Sequence, residues 1–387
     1  MKTTEAEKAE EDKVVLGDVE AVPFQELYGV LSRRSPEEIA ELARQLQNLP
    51  KGPASEARIA AFFKAWATLD ASAAFAFADS LRRDLRSEAF SAVLEGADPS
   101  AAGALVPAIN DLPKESLPPS EKALLLSRAV GKWSQLDPAA AAKFLESSGV
   151  RGMNFSTAYH QVASNWAARD PIAALAWARE QTSKGEHFAT SGAITGWWKN
   201  DPAAAEAYVA SHLGTREDWQ LASTLASNIF SEDPERAKEW VRQLPNEDAR
   251  RQADAGLAIQ WGFSDPAAAT KWAATLPPGE CKQALAETVG LWAQQDLSAA
   301  AEWLGSYQGA GRDEAVNNFS LSAAAKDPAV ALTWAATISD PKTRAFAERG
   351  LASQWLKRDP PAARNWIQNS SLPADEKSRL LAPPSGP

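Results

Sequence analysis

The chain has 387 residues, 45% of them hydrophobic, and a formal net charge of −10. Its one cysteine, Cys281, excludes an intrachain disulfide and a thiolate metal cluster. No apolar run reaches the roughly 18 residues that a membrane-spanning helix needs, and no basic patch of the kind that binds nucleic acid occurs.

Residues 1–22 carry seven acids and three lysines. A segment so charged and so poor in aromatics has too little apolar surface to fold, and disorder is expected. It also lacks the apolar core of a signal peptide. The chain as given therefore reads as cytoplasmic, with a periplasmic or envelope-anchored place the alternative where a leader has been removed.

From there to residue 381 one phrase repeats, and the spacing predicts a single repeat domain over 23–381. Ser35-Pro36, with Glu38 three residues after Ser35, has the form of a capping box and reads as a degenerate first copy. The phrase proper is an Asp, a Pro and an alanine-rich run. Its Asp falls at Asp70, Asp98, Asp137, Asp170, Asp201, Asp233, Asp265, Asp296, Asp327 and Asp359. From Asp137 onward the steps are 31–33 residues. An insertion lies between Asp98 and Asp137, within the proline-broken stretch Asp111–Lys122.

Counting that Asp as zero, each position has a physical meaning. Asp is an N-cap and Pro the favoured first helical residue. Position +4 is alanine in every copy, from Ala74 to Ala363. Position +7 is aromatic in all copies but one, where Leu105 stands, and +8 is apolar throughout. These share one helical face. Upstream, −4 holds Trp66, Trp133, Trp166, Trp197, Trp261, Trp292 and Trp355, with apolar residues at −7, −8 and −12. Each unit is therefore a helix, a tight turn and a second helix. One such hairpin cannot bury its stripe alone, so the copies must stack. The invariant alanine is expected to receive an aromatic from a neighbouring helix. Trp198 and Trp219 fall off both aromatic columns and are expected to be exposed. "ADEKSRLL" (residues 374–381) is expected to close the array as a short polar helix, with 382–387 a disordered tail.

A hairpin of 31–33 residues with tryptophan at fixed places resembles the α-solenoids, in particular tetratricopeptide-like and HEAT-like repeats. The resemblance covers about residues 35–370 and lies in layout, since the tetratricopeptide signature residues are absent. It implies an all-α, right-handed superhelical solenoid of about ten hairpins, with the first helix of each lining a concave face. The phrase also resembles the helical superhelix of lytic transglycosylases, and "FLESSG" (residues 144–149) contains their Glu-Ser pair without the rest of the motif.

No motif for chemistry stands out. His160, His187 and His212 share no repeat position and no metal-ligand spacing, and neither phosphate-cradling nor nucleophile-elbow motifs occur. No cofactor is expected. The Asp series reads as helix caps and the tryptophans as core. A polar ladder remains on the first helices, at −5 and −9: Lys132, Asn165, Asn228, Gln260 and Gln354, with Gln161 and Asn318. Asn and Gln both donate and accept, which suits an extended peptide backbone. The expected role is a non-catalytic scaffold binding a protein or peptide on that face. A structural assembly subunit, or the helical accessory domain of a cell-wall-processing enzyme, are the alternatives.

Overall fold

Most Asp residues of the phrase serve two helices at once. In the computed structural model the backbone N–H closes the helix before it: Asp170 donates to Trp166 O and Asp265 to Trp261 O, both at 2.9 Å. The carboxylate opens the helix after it, accepting from Ala173 N at 3.0 Å and Ala268 N at 2.9 Å. The turn is stereotyped, with φ −140° and ψ 88° at Asp170, and −145° and 82° at Asp359. This extended geometry is what a residue before proline adopts, so one helix ends and the next begins with no loop between. Asp70 and Asp296, which no proline follows, keep the turn. Asp98 departs from it, at φ −75° and ψ 173°, yet still caps Ala101.

The structure describes residues 24–50, 52–370 and 373–381, together with Glu11 and Val15. Among these every regular element is helical, and no helix is long and apolar enough to cross a membrane. The disorder expected for 1–22 and 382–387 lies outside the described residues, apart from Glu11 and Val15.

The chain divides into two compact units, Met1–Pro202 and Ala203–Pro387. The first holds α1 (Phe24–Leu31), α2 (Pro36–Leu46), α3 (Pro53–Ser80, bent at Asp70 into two helices), α4 (Arg83–Gly96), α5 (Pro99–Asp111), α6 (Pro119–Trp133), α7 (Pro138–Ser148), α8 (Ser156–Ala167), α9 (Pro171–Ser183) and α10 (Phe188–Asn200). Helix α11 (Pro202–Ser211) starts at the boundary. The second unit continues with α12 (Arg216–Glu232), α13 (Pro234–Gln243), α14 (Glu247–Gly262), α15 (Pro266–Ala273), α16 (Cys281–Gln295), α17 (Leu297–Ser306), α18 (Arg312–Ala323), α19 (Pro328–Ala335), α20 (Pro341–Arg358), α21 (Pro360–Asn369) and α22 (Ala374–Leu381). Ser35 and Glu38 form the capping box, the insertion is the loop 112–118, and the expected closing helix is α22.

The columns behave as core. All ten +4 alanines are fully buried, and the +8 residues beside them are buried too. Where both are aromatic, the −4 and +7 residues meet inside the hairpin, with ring centroids 5.9 Å apart for Trp166 and Trp177, 6.0 Å for Trp261 and Trp272, and 6.2 Å for Trp355 and Trp366. On the preceding second helix, Trp133 lies against Gly103, next to Ala102.

First helices of successive repeats pack on one another, α8 on α10 in one unit and α12 on α14, α14 on α16 and α16 on α18 in the other. Glycine permits the closest of these contacts. A Cβ on Gly196 of α10 would lie 2.6 Å from Cα of Ser164 on α8, and one on Gly192 would lie 2.8 Å from Cα of His160. In the second unit α13, α15, α17 and α19 each pack on their own first helix and on the next.

Trp198 corrects one expectation, being only 4% exposed. It sits at −3, a column that the structure buries in Ala67, Ser134, Ala167 and Ala293 as well. Trp219 is half-buried, with its indole N–H donated to Leu213 O at 3.2 Å.

Candidate functional site

Part of the polar ladder is spent on joining repeats. Lys132 of α6 donates to Leu94 O and Glu95 O, the carbonyl end of α4, at 2.9 and 3.0 Å. Burial there holds its ammonium below the usual lysine range. Asn165 of α8 donates to Ser134 Oγ at 2.7 Å, and Gln161 lies over Gly131. Cations at −1 act alike: Arg169 reaches Gln135 O and Leu136 O at 2.6 Å, and Arg358 reaches Ala325 O at 3.1 Å. The last carbonyls of a helix lack intrahelical partners and carry the negative end of its dipole, so a cation from the next first helix suits them. In the second unit Asn228 and Asn318 are half-buried, while Gln260 and Gln354 are exposed. The seven ladder residues thus comprise Lys132 and Asn165, bonded across repeats, Asn228 and Asn318, half-buried, and Gln161, Gln260 and Gln354, exposed.

Glu146, of the Glu-Ser pair, is tied into the fold. It accepts from Trp177 Nε1 at 2.9 Å and Gln181 Nε2 at 3.2 Å. Among the described residues no group of three His, Cys, Asp or Glu side chains is placed to hold a metal ion.

Two open concavities of the second unit lie between successive second helices, while a third, of about 620 Å³, is lined by the loops and starts of first helices around Arg312 and Asp340. The first, of about 800 Å³, is walled by α13 and by α15 with the loop after it, and floored by α14. The second, of about 560 Å³, lies between α19 and α21 over α20. Each has a +7 tryptophan in its wall, Trp272 in the first and Trp366 in the second.

Each also has a buried acid at its floor, Asp254 (4% exposed) and Glu348 (8% exposed). Both occupy position −11. The corresponding residues elsewhere include Leu126, Tyr159, Ala222, Leu285 and Val316, all buried. A carboxyl at a core register of a repeat is costly for stability unless it is paired. That outlier is the signal in the sequence from which these two residues could have been found.

In the larger cleft the cations have partners. Lys238 Nζ lies 2.7 Å from Glu235 Oε1 and 4.4 Å from the Trp261 ring centre. Arg250 pairs with Glu280 at 2.7 Å and donates to Leu244 O at 2.7 Å. Arg242 pairs with Glu239 at 3.1 Å. Asp254 makes no hydrogen bond or ion pair among the described residues. Burial, reinforced by the charge of Glu280, pushes its carboxyl up to about 7, against the opposing pull of Arg250 and Arg242.

Arg250 belongs to a second device that the repeat columns did not reveal. It stands at −15, as does Arg344, which donates to Ile338 O at 2.6 Å. In each case the guanidinium near the start of a first helix holds a carbonyl of the turn that follows the preceding second helix.

No protein-family model matches this chain, and no curated protein matches it.

Proposed function

We propose that this protein is a non-catalytic interaction scaffold that binds a protein or peptide partner, using the clefts between second helices as its binding surface. Each unit is read as a stretch of right-handed, tetratricopeptide-like or HEAT-like solenoid, within an array of about ten hairpins. The observation that carries the reading is the repetition of one layout. Two clefts of the second unit share an aromatic wall and an acid at the same core register. Two similar clefts along one stack of repeats suit an extended partner.

The test is affinity capture from the source organism's lysate with quantitative mass spectrometry. Three baits are compared: the parent, a cleft variant (Thr275→Arg with Asn369→Arg) and a ladder variant (Gln161→Arg, Gln260→Arg and Gln354→Arg). All five positions are exposed, so the variants are expected to fold. A prey kept by the ladder variant and lost by the cleft variant is the expected result. Loss only from the ladder variant moves the site to the first-helix face. No specific prey contradicts the scaffold reading.

One observation favours a second reading. A carboxyl titrating near neutrality in a cleft, beside another buried acid, is what general acid catalysis uses. Release of soluble fragments from peptidoglycan by the parent but not by Asp254→Asn would establish the enzymatic alternative.

A further inference from the structure

Four carboxyl groups, Glu235, Glu247, Asp254 and Glu280, and three cations, Lys238, Arg242 and Arg250, line the cleft over α14. Lys238 is engaged by Glu235, Arg250 by Glu280 and Arg242 by Glu239. Two carboxyl groups are left: Asp254 at the floor and Glu247 at the exposed rim, neither with a hydrogen bond or ion pair among the described residues. An anion entering here would meet Asp254 and Glu280 together. A cation would find the one buried group that lacks a counter-ion.

We propose that this cleft receives a cationic side chain, a lysine or arginine of the partner, with Asp254 as its counter-ion, Glu247 as a second acceptor at the rim and Trp272 as the wall for the aliphatic stem. This deepens the scaffold reading and rests on it for the source of the cation. The volume of about 800 Å³ accommodates a long side chain with part of its backbone, within the usual range for ligand sites. Long cationic side chains bury their methylenes against apolar surface while the charged head finds a polar partner, and Trp272 beside Asp254 provides both.

The site carries a built-in proton linkage. With the cleft unoccupied, Asp254 holds its proton up to about pH 7. A bound ammonium displaces that proton, so binding strengthens as pH rises from 6 to 8, by about tenfold, and levels off above. The groups facing the carboxyl are Glu235, Lys238 and Arg242 from α13, Glu247 and Arg250 from α14, and Glu280 at the head of α16; α15 presents Trp272 and the loop after it Thr275, neither titratable in this range.

The probe is Nα-acetyl-lysine methylamide, compared with its neutral Nα,Nε-diacetyl counterpart and with Nα-acetyl-glutamate methylamide. Binding is read from the NMR signal of the Trp272 indole N–H, assigned through Trp272→Phe. The expected result is a saturable shift with the lysine probe, at least about tenfold weaker binding of the diacetyl probe, and the pH 6–8 gain just described. Asp254→Asn is expected to lose both the preference and the pH dependence. Equal binding of charged and neutral lysine probes, preference for the glutamate probe, or no shift of Trp272 up to the solubility of the lysine probe overturns the proposal. The neutral probe keeps the test decisive even if the variant misfolds. These small molecules need no protein partner, so the proposal can fail while the scaffold reading stands, and the capture experiment can fail while the cation site stands.

Discussion

Gly196→Ala tests how the first helices are held together. Gly196 on α10 faces the backbone of Ser164 on α8, and an added methyl would lie 2.6 Å from Ser164 Cα and C. Carbon atoms pack at about 3.5–4.0 Å, so the two helices must separate by roughly 1 Å. Backbone cannot rotate away as a side chain can, and overpacking of this kind costs roughly 1–3 kcal/mol. Alanine returns up to about 1 kcal/mol through helix propensity. Gly350→Ala isolates the packing cost. Gly350 lies on exposed α20 surface with nothing within 4 Å of an added Cβ, so that variant gains the propensity alone. Urea unfolding should place Gly196→Ala roughly 1–3 kcal/mol below Gly350→Ala. Amide exchange should rise in α8 and α10 and not elsewhere, since a repeat array loosens locally. Equal stability of the two variants would refute the claim of backbone-close packing.

Asp254→Asn should be more stable than the parent at pH 8. The parent carboxyl titrates near 7 when folded and near 4 when unfolded, so the folded state holds the extra proton between those values. Parent stability therefore falls as pH rises from about 4 to about 7 and is flat above. The amide has no such loss. Its advantage should be on the order of a few kcal/mol above pH 7 and vanish near pH 4, as read from urea midpoints across pH; no advantage at pH 8 contradicts the buried-acid account. A residue whose removal stabilises the fold and abolishes cation binding is one retained for binding. Asp265→Ala should cost roughly 0.5–2 kcal/mol and raise exchange at the start of α15, because the bond from Ala268 N to Asp265 is lost. Asp265→Asn should keep most of that stability, and equal loss in both variants would mean that the charge matters more than the cap.

The hairpin was legible because its signals are local. A cap, a proline and three apolar positions fall within nine residues, and the structure places each where helix periodicity puts it. Trp198 was misjudged because −3 was not read as a column, although Ala67, Ala167 and Ala293 show it to be one. The seam between first helices was illegible for a different reason. Gly196 meets Ser164 and Lys132 meets Leu94 across repeats, and nothing within a single repeat marks those partners. The ladder residues were recognised by polarity alone, which does not separate Asn165, bonded within the fold, from Gln260, which is exposed. Asp254 and Glu348 are legible only as departures, acids at a core register that other copies fill with Leu126, Tyr159, Leu285 or Val316, and periodicity reports what the copies share.

The central claim is that a partner lies in the clefts between second helices. Site-specific photo-crosslinking in lysate tests it most directly, with benzoylphenylalanine placed at Thr275 on the rim of the α13–α15 cleft and, in a separate protein, at Gln260 on the first-helix face. The account predicts a discrete adduct from Thr275 that Asp254→Asn abolishes, and none from Gln260. An adduct from Gln260 alone, or from neither position, would contradict it.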